Sequence, residues 1–231
     1  RSTSPPPSPN ASAPKSRKSK LLEETSPRSM EEGKAALPTL ARLRKALSSV
    51  PFPASVYLVE DCGEGNDLIP AAVLFSIVLR EDEPSVLLTQ RNPDLKDHPG
   101  QISFPGGRVE QQDRSPADTA LREAEEEIGL DPACVEVVGY LPAYRTVTGF
   151  LVTPVVAIVT PPVDLRPDPD EVAEVFEVPL SFLLDSANHK RHTIQLQGKV
   201  RDFFAVPYGD RFIWGATAGI ILGLARLVSN D

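Results

Sequence analysis

Residues 104–130 read Phe104-Pro-Gly-Gly-Arg-Val-Glu-Gln-Gln-Asp-Arg-Ser-Pro-Ala-Asp-Thr-Ala-Leu-Arg-Glu-Ala-Glu-Glu-Glu-Ile-Gly-Leu130, and the rest of the chain is best understood from this stretch outward. Its second half predicts a helix with both ends marked. Ser115 is a good N-cap, Pro116 stands at the first helical position where a missing N–H costs nothing, and Gly129 is a natural C-terminal stop. Ala117, Leu121, Ala124 and Ile128 recur at spacings of four, three and four, which predicts an apolar stripe packed against the domain. Glu123, Glu126 and Glu127 stand at i, i+3 and i+4, on a neighbouring face of the same helix.

Like charges at these spacings weaken a helix by roughly a few tenths of a kcal/mol per pair. A solvated acidic face is the ordinary meaning of a glutamate run. Hard divalent cations with oxygen ligands, Mg²⁺ or Mn²⁺, would instead remove the penalty. Arg122, one position before the first of the three glutamates and four before Glu126, can orient a carboxylate by hydrogen bonding. Gly106-Gly107 ahead of the helix allows the loop backbone to approach metals or a phosphate closely.

On either side, strands and helices mix without regular alternation. Leu40, Leu43 and Leu47 predict a short amphipathic helix after Pro38-Thr39, ended by Pro51 and Pro53. Ala71–Leu79 and Ser85–Thr89 read as a hairpin across residues 80–84, and Val135–Leu141 and Phe150–Thr160 as further strands. An acidic, proline-rich loop from Pro161 to Asp170 follows, then a strand at Val175–Val178 and a helix at Leu180–Asp185. Thr193–Gln197 and Phe203–Val206 predict a second hairpin, and Ile213–Val228 a closing helix. This is an α+β pattern rather than a doubly wound one. Tyr208, Phe212 and Trp214 are expected in the core, and His189 and His192 at the surface.

The 231 residues are 41% hydrophobic and 24% charged, ordinary values for a soluble globular protein. No uncharged apolar run reaches the roughly 20 residues of a membrane-spanning helix. Cys62 and Cys134 are too few for a disulfide framework and lack the near neighbours of a zinc site. Residues 1–35 are rich in Ser, Pro and Lys, and are expected to be a disordered tail ahead of a domain over 36–231. Residues 1–49 carry ten Lys/Arg against four Glu, while residues 50–231 carry fourteen Lys/Arg against twenty-eight Asp/Glu. The basic tail has no aromatics among its charges to stack on bases, so nucleic acid is not an expected partner.

Gly107, Arg122, Glu123, Glu126, Glu127, Gly129 and Leu130 together resemble the Nudix box, Gly-x5-Glu-x7-Arg-Glu-U-x-Glu-Glu-x-Gly-U with U aliphatic. Asp113 replaces the first glutamate, one extra residue precedes Arg122, and Ala124 is a small aliphatic. Glu110 competes with Asp113 for the acidic position. Upstream, Leu87-Leu-Thr-Gln-Arg91, Lys96, Gly100 and Phe104-Pro-Gly-Gly107 resemble the signature of the coenzyme A pyrophosphatase branch, with Asn92 where that signature has Ser or Ala and Lys96 where it has Arg.

The resemblance implies a mixed β-sheet sandwiched between α-helices and a metal-dependent hydrolase of nucleoside diphosphates linked to another group. For this branch it implies cleavage of coenzyme A and its acyl derivatives to 3′,5′-ADP and 4′-phosphopantetheine. Glu123, Glu126 and Glu127 would be metal ligands for Mg²⁺ or Mn²⁺, and Arg122 an orienting residue. Glu171, favoured over Glu174 in the acidic loop, would be the general base. Arg91, Lys96, Gln101, Gly106 and Gly107 would lie on the substrate side, with a phosphate contact open to His98. Expected partners are a small-molecule substrate and, as a candidate, a second copy of the chain; no membrane is expected, and the expected location is cytoplasmic. ADP-ribose or another nucleoside diphosphate derivative is the alternative substrate. A non-catalytic binding module on the same scaffold ranks last, because Arg122 and all three glutamates are present.

Overall fold

The computed structural model describes residues 39–50, 58–59, 68–196 and 199–229. The predicted tail, Pro51, Pro53, Cys62 and Gln197 lie outside them. The first helix, α1, covers 39–48, and Leu43 and Leu47 are fully buried as their spacing predicts. Two short strands and two long ones come next: β1 (Leu58–Val59), β2 (Ile69–Val78), β3 (Ser85–Arg91) and β4 (Ile102–Ser103). They are followed by β5 (Gly106–Arg108), helix α2 (Pro116–Ile128), β6 (Val135–Tyr140), β7 (Tyr144–Arg145) and β8 (Phe150–Val159). The chain continues through β9 (Val172–Pro179), α3 (Leu180–Leu184), β10 (Lys190–Leu196), β11 (Lys199–Tyr208), β12 (Arg211–Trp214) and α4 (Gly215–Ser229).

Among the described residues, β1 to β9 form one mixed sheet and β10–β11–β12 a separate antiparallel meander. The backbone of the large sheet is the parallel pair β2–β8, in register from Ile69↔Phe150 to Val78↔Val159. Alternation along β2 sends Ala72 and Leu74 to one face and Phe75 and Ile77 to the other, all fully buried. The first face packs on Ala120, Ala124 and Ile128 of α2. The second packs on α1, α3, α4 and the inner side of the meander, through Leu43, Leu180, Val206, Ile213 and Ile221. The fold is therefore a mixed sheet between helices, as expected.

The β2–β3 hairpin departs from a simple ladder. Only Ile77↔Val86 and Val78↔Ser85 pair directly. Beyond them the strands splay, and residues 102–108 fill the gap: β4 pairs with β3, and β5 pairs with β2. Leu74 N–H is satisfied by Pro105 O at 2.8 Å inside the splay. This is how the Gly106-Gly107 turn comes to lie in the sheet, directly beneath α2.

Three expectations are corrected. The closing helix begins at Gly215, not Ile213, because Arg211–Trp214 pairs with β11 and Gly215 then turns the chain at a φ of 66°. The stripe of α2, by contrast, packs on the core as expected, with Ala124 and Ile128 fully buried beside Ala120 and with Ala117 and Leu121 half-buried against the same cluster. Phe212 and Trp214 are not core residues: they sit on the outer face of the meander, 44% and 42% exposed. His192, half-buried rather than at the surface, stacks on Phe203 and meets Phe212 edge-on in the same patch. Among the described residues no helix is long and apolar enough to cross a membrane.

Candidate active site

The ends of α2 form as its sequence predicts. Ser115 Oγ accepts from Asp118 N–H at 3.1 Å, and Gly129, left-handed at a φ of 65°, donates to the carbonyls of the last turn. With the helix so fixed, Glu127 faces the sheet and is only 5% exposed, Glu123 is half-buried at the rim, and Glu126 is exposed.

Arg122 is the hub of the carboxylates. Its Nη1 donates to Glu123 Oε1 at 2.9 Å and to Glu126 Oε2 at 3.0 Å. Its Nε and Nη2 donate to the two oxygens of Asp113 at 3.2 and 3.0 Å, and Nη2 also reaches the carbonyl of Arg108. Asp113 is enclosed, with 3% of its side chain exposed, and accepts further bonds from Thr119 Oγ1 and Glu110 N–H. Those partners, the Arg122 guanidinium foremost, hold its carboxyl down at about 2. Glu110 stays 53% exposed, 3.8 Å from Arg122. Between the two acids that competed for this position, Asp113 is the one that braces Arg122.

Glu127 is in a different situation. Its Oε2 accepts one hydrogen bond, from Gly106 N–H at 3.2 Å, and Arg91 Nη1 stands 3.9 Å from Oε1. Burial, with the charges of Glu123 and Glu171 nearby, pushes its carboxyl up to about 8 despite the Gly106 bond and Arg91. Glu123 is also raised, mainly by burial, against the pull of Arg122. Gly107 lies so close beneath Glu123 that a methyl group there would land on the carboxylate.

The remaining expected residues lie around this centre. Glu171, in the turn just before β9, is exposed, and its charge is felt at both Glu123 and Glu127. Glu174, the competitor, is instead bound to Arg211 Nη2 at 2.5 Å. Arg91 has 27% of its side chain exposed, and its Nε is buried with no hydrogen-bond partner. The backbone carbonyl of Gln101 accepts from Arg91 N–H at 2.9 Å. Lys96 and His98 are exposed on the connecting loop, His98 at a positive φ of 55°.

Gln101 also lines a cleft of about 440 Å³ with Gln90, Glu174, Arg211, Phe212 and Trp214. Gln90, Ile102 and Glu174 are cross-strand neighbours, so this cleft opens on the face of the sheet opposite α2. The structure thus gathers Glu123, Glu126, Glu127, Arg122, Arg91 and the two glycines, and leaves Lys96 apart. Sequence reading missed Thr119 as a partner of Asp113. A hydroxyl in the first turn, on the buried side of an otherwise alanine-rich stripe, was the available sign.

Among the described residues no three His, Cys, Asp or Glu side chains are grouped as ligands around one point. The donor chemistry nevertheless suits a hard divalent cation. Glu127 is a buried carboxylate with a single N–H partner and two acidic neighbours, and such a group is stabilised by a positive charge.

The site is thus a carboxylate-bearing helix lying over a Gly-Gly turn in a mixed sheet. The NUDIX domain model matches residues 70–197, and the chain belongs to the Nudix hydrolase family. Over 155 residues it is 46% identical to "Uncharacterized Nudix hydrolase NudL" of Escherichia coli K12, spanning 67% of this chain and 80% of that protein. The Shigella boydii protein of the same name matches at the same identity and coverage. Among solved structures, a Nudix hydrolase from M. smegmatis, RenU, aligns with a TM-score of 0.39 at 24% identity, over 49% of this chain and 72% of that one. The chain is a diphosphohydrolase, and enzymes of the family generally need a divalent metal such as Mg²⁺ or Mn²⁺.

Proposed function

We propose that the chain hydrolyses the diphosphate bond of coenzyme A and its acyl derivatives, releasing 3′,5′-ADP and 4′-phosphopantetheine. The observation that carries the reading is Glu127: a buried carboxylate under-supplied with partners, facing Arg91 and lying over Gly106. The stretch from Leu87 to Gly107, which resembles the coenzyme A signature, supplies both Arg91 and the Gly-Gly turn.

Glu123, Glu126 and Glu127 would hold Mg²⁺ or Mn²⁺, with Arg122 turning the first two and Asp113 bracing Arg122. When bound, the cation supplies positive charge that neutralises diphosphate oxygens and lowers the pKa of the attacking water. The chain's own groups do the rest. Arg91, with an unused Nε, takes a diphosphate oxygen, and the glycines let the substrate approach the backbone. Glu171 accepts the proton from water as its oxygen bonds to one phosphorus and the bridging P–O bond breaks. Lys96, on the exposed loop after β3, contacts the substrate outside the diphosphate.

Side-by-side turnover of coenzyme A, ADP-ribose and NADH with Mg²⁺ and with Mn²⁺ tests the reading. Coenzyme A is expected to show the highest kcat/KM. A clear preference for ADP-ribose would replace the substrate while leaving the chemistry in place.

A further inference from the structure

Residue 92 is the point at which the connecting loop after β3 meets the acidic loop before β9, and every hydrogen-bonding group of Asn92 is engaged there. Its backbone N–H donates to Glu171 O at 2.8 Å. Its side-chain Nδ2 donates to Pro169 O at 2.7 Å. Its Oδ1 accepts from Asp94 N–H at 2.9 Å, an Asx turn that fixes which way the amide points and so aims Nδ2 at Pro169. Its carbonyl accepts from Leu95 N–H at 3.2 Å.

The other end of the acidic loop is tied to α2. Arg166 N–H donates to Ile128 O at 2.8 Å and Asp168 N–H to Glu127 O at 2.9 Å, so the loop satisfies carbonyls that a helix end leaves open. Asp168 also organises the approach to β9: its Oδ1 accepts from Asp170 N–H, and its carbonyl from Glu171 and Val172 N–H. Residues 169–171 run directly into β9, whose Val172 pairs with Arg91, and two further contacts hold them. One is the backbone of Glu127 itself. The other is Asn92.

We infer that Asn92 is a positioning residue that clamps residues 169–171 against the end of β3 and so fixes the position of Glu171. The inference rests on the role proposed above for Glu171. Ala at this position would lose both side-chain bonds. Ser could still cap Asp94 N–H, but it is too short to reach Pro169 as the amide does. The two substitutions therefore separate the clamp from the turn.

The test is a double-mutant cycle between residue 92 and Glu171, on the full chain with coenzyme A and Mg²⁺. Asn92→Ala and Asn92→Ser are expected to lower kcat by about ten- to a hundredfold, the scale of a misplaced catalytic group, with KM unchanged. In a Glu171→Gln background the same changes should have no further effect, because the residue acts only through that carboxylate. Equal losses in both backgrounds, or full turnover in Asn92→Ala, would overturn the proposal. Amide hydrogen exchange without metal or substrate reads the clamp separately. Exchange at Glu171 should quicken in both variants, and unchanged exchange there would also overturn it. If the unmodified chain cleaved no diphosphate at all, the functional reading would fail, and the exchange comparison would still decide whether Asn92 holds the loop.

Discussion

At the scale of single residues, two carboxylates on one site show how environment divides their work. Asp113 has four hydrogen-bond donors, two of them from a guanidinium; Glu127 has one donor and acidic neighbours. Glu127→Gln keeps an acceptor for Gly106 N–H and removes a charge that burial disfavours. The metal-free thermal midpoint should therefore not fall, while turnover should drop on the order of 10²–10³-fold, as when a group stabilising charge at a reacting centre is lost. Glu125→Gln, on the exposed side of α2, should keep full activity, and equal activity in the two variants would refute the assignment. Asp113 offers a pH test. Its carboxyl lies near 2 in the fold against an ordinary 3.8, so its contribution is complete above about pH 4 and is lost as pH falls toward 2. The shift corresponds to about 2 kcal/mol, so Asp113→Asn should lose roughly that at neutral pH and flatten the acid limb of a stability curve. An unchanged acid limb would mean that Arg122 does not depend on Asp113.

At the scale of elements, adjacent glycines in β5 should respond differently. Gly106 sits at a φ of 153°, and an added methyl would strike the backbone of Ala72 and Val73. Gly106→Ala should cost at least about 2 kcal/mol and loosen the β2–β5 pairing. The atoms nearest a methyl on Gly107 are instead those at the end of the Glu123 side chain. Gly107→Ala should fold with a near-normal thermal midpoint yet lose turnover, and a fully active Gly107→Ala would show that Glu123 can move without consequence. Element by element, α2 was the most legible part of the chain, because Ser115, Pro116 and Gly129 mark its ends chemically. The splay of β2 and β3 was not legible, since two-residue strands such as β4 carry no periodicity of their own. The resemblance to the Nudix box named the acidic site residues, but the sequence left Asp113 and Glu110 in competition. Only the packing of Asp113 under Arg122 and Thr119 separates them.

At the scale of the whole molecule, non-local pairing decides what the chain pattern leaves open. Phe212 and Trp214 look like core residues when counted as aromatics near a terminal helix. Their register with Pro207 and Ala205 turns them outward instead. The α+β mixture was legible from mixed periodicity and the helix-sheet-helix layering from the Nudix resemblance, whereas the parallel partnership of β2 with β8 joins strands far apart in the chain and needed the structure. The acidic balance of residues 50–231 also acts at this scale. A cation bound by the folded protein stabilises it by mass action, about 2.7 kcal/mol when its concentration is a hundredfold above Kd. Mg²⁺ or Mn²⁺ should therefore raise the thermal midpoint of the unmodified chain, and raise that of Glu127→Gln far less. An equal rise in both would place the bound cation elsewhere.

The most direct measurement is chromatographic: coenzyme A incubated with the unmodified chain and with Glu127→Gln, in Mg²⁺, in Mn²⁺ and in excess EDTA, with the products separated and counted. The account predicts 3′,5′-ADP and 4′-phosphopantetheine in equal amounts from the unmodified chain with metal, recovery of that activity when metal is returned after EDTA, and almost none from Glu127→Gln. Undiminished cleavage in EDTA, or from Glu127→Gln, would contradict it.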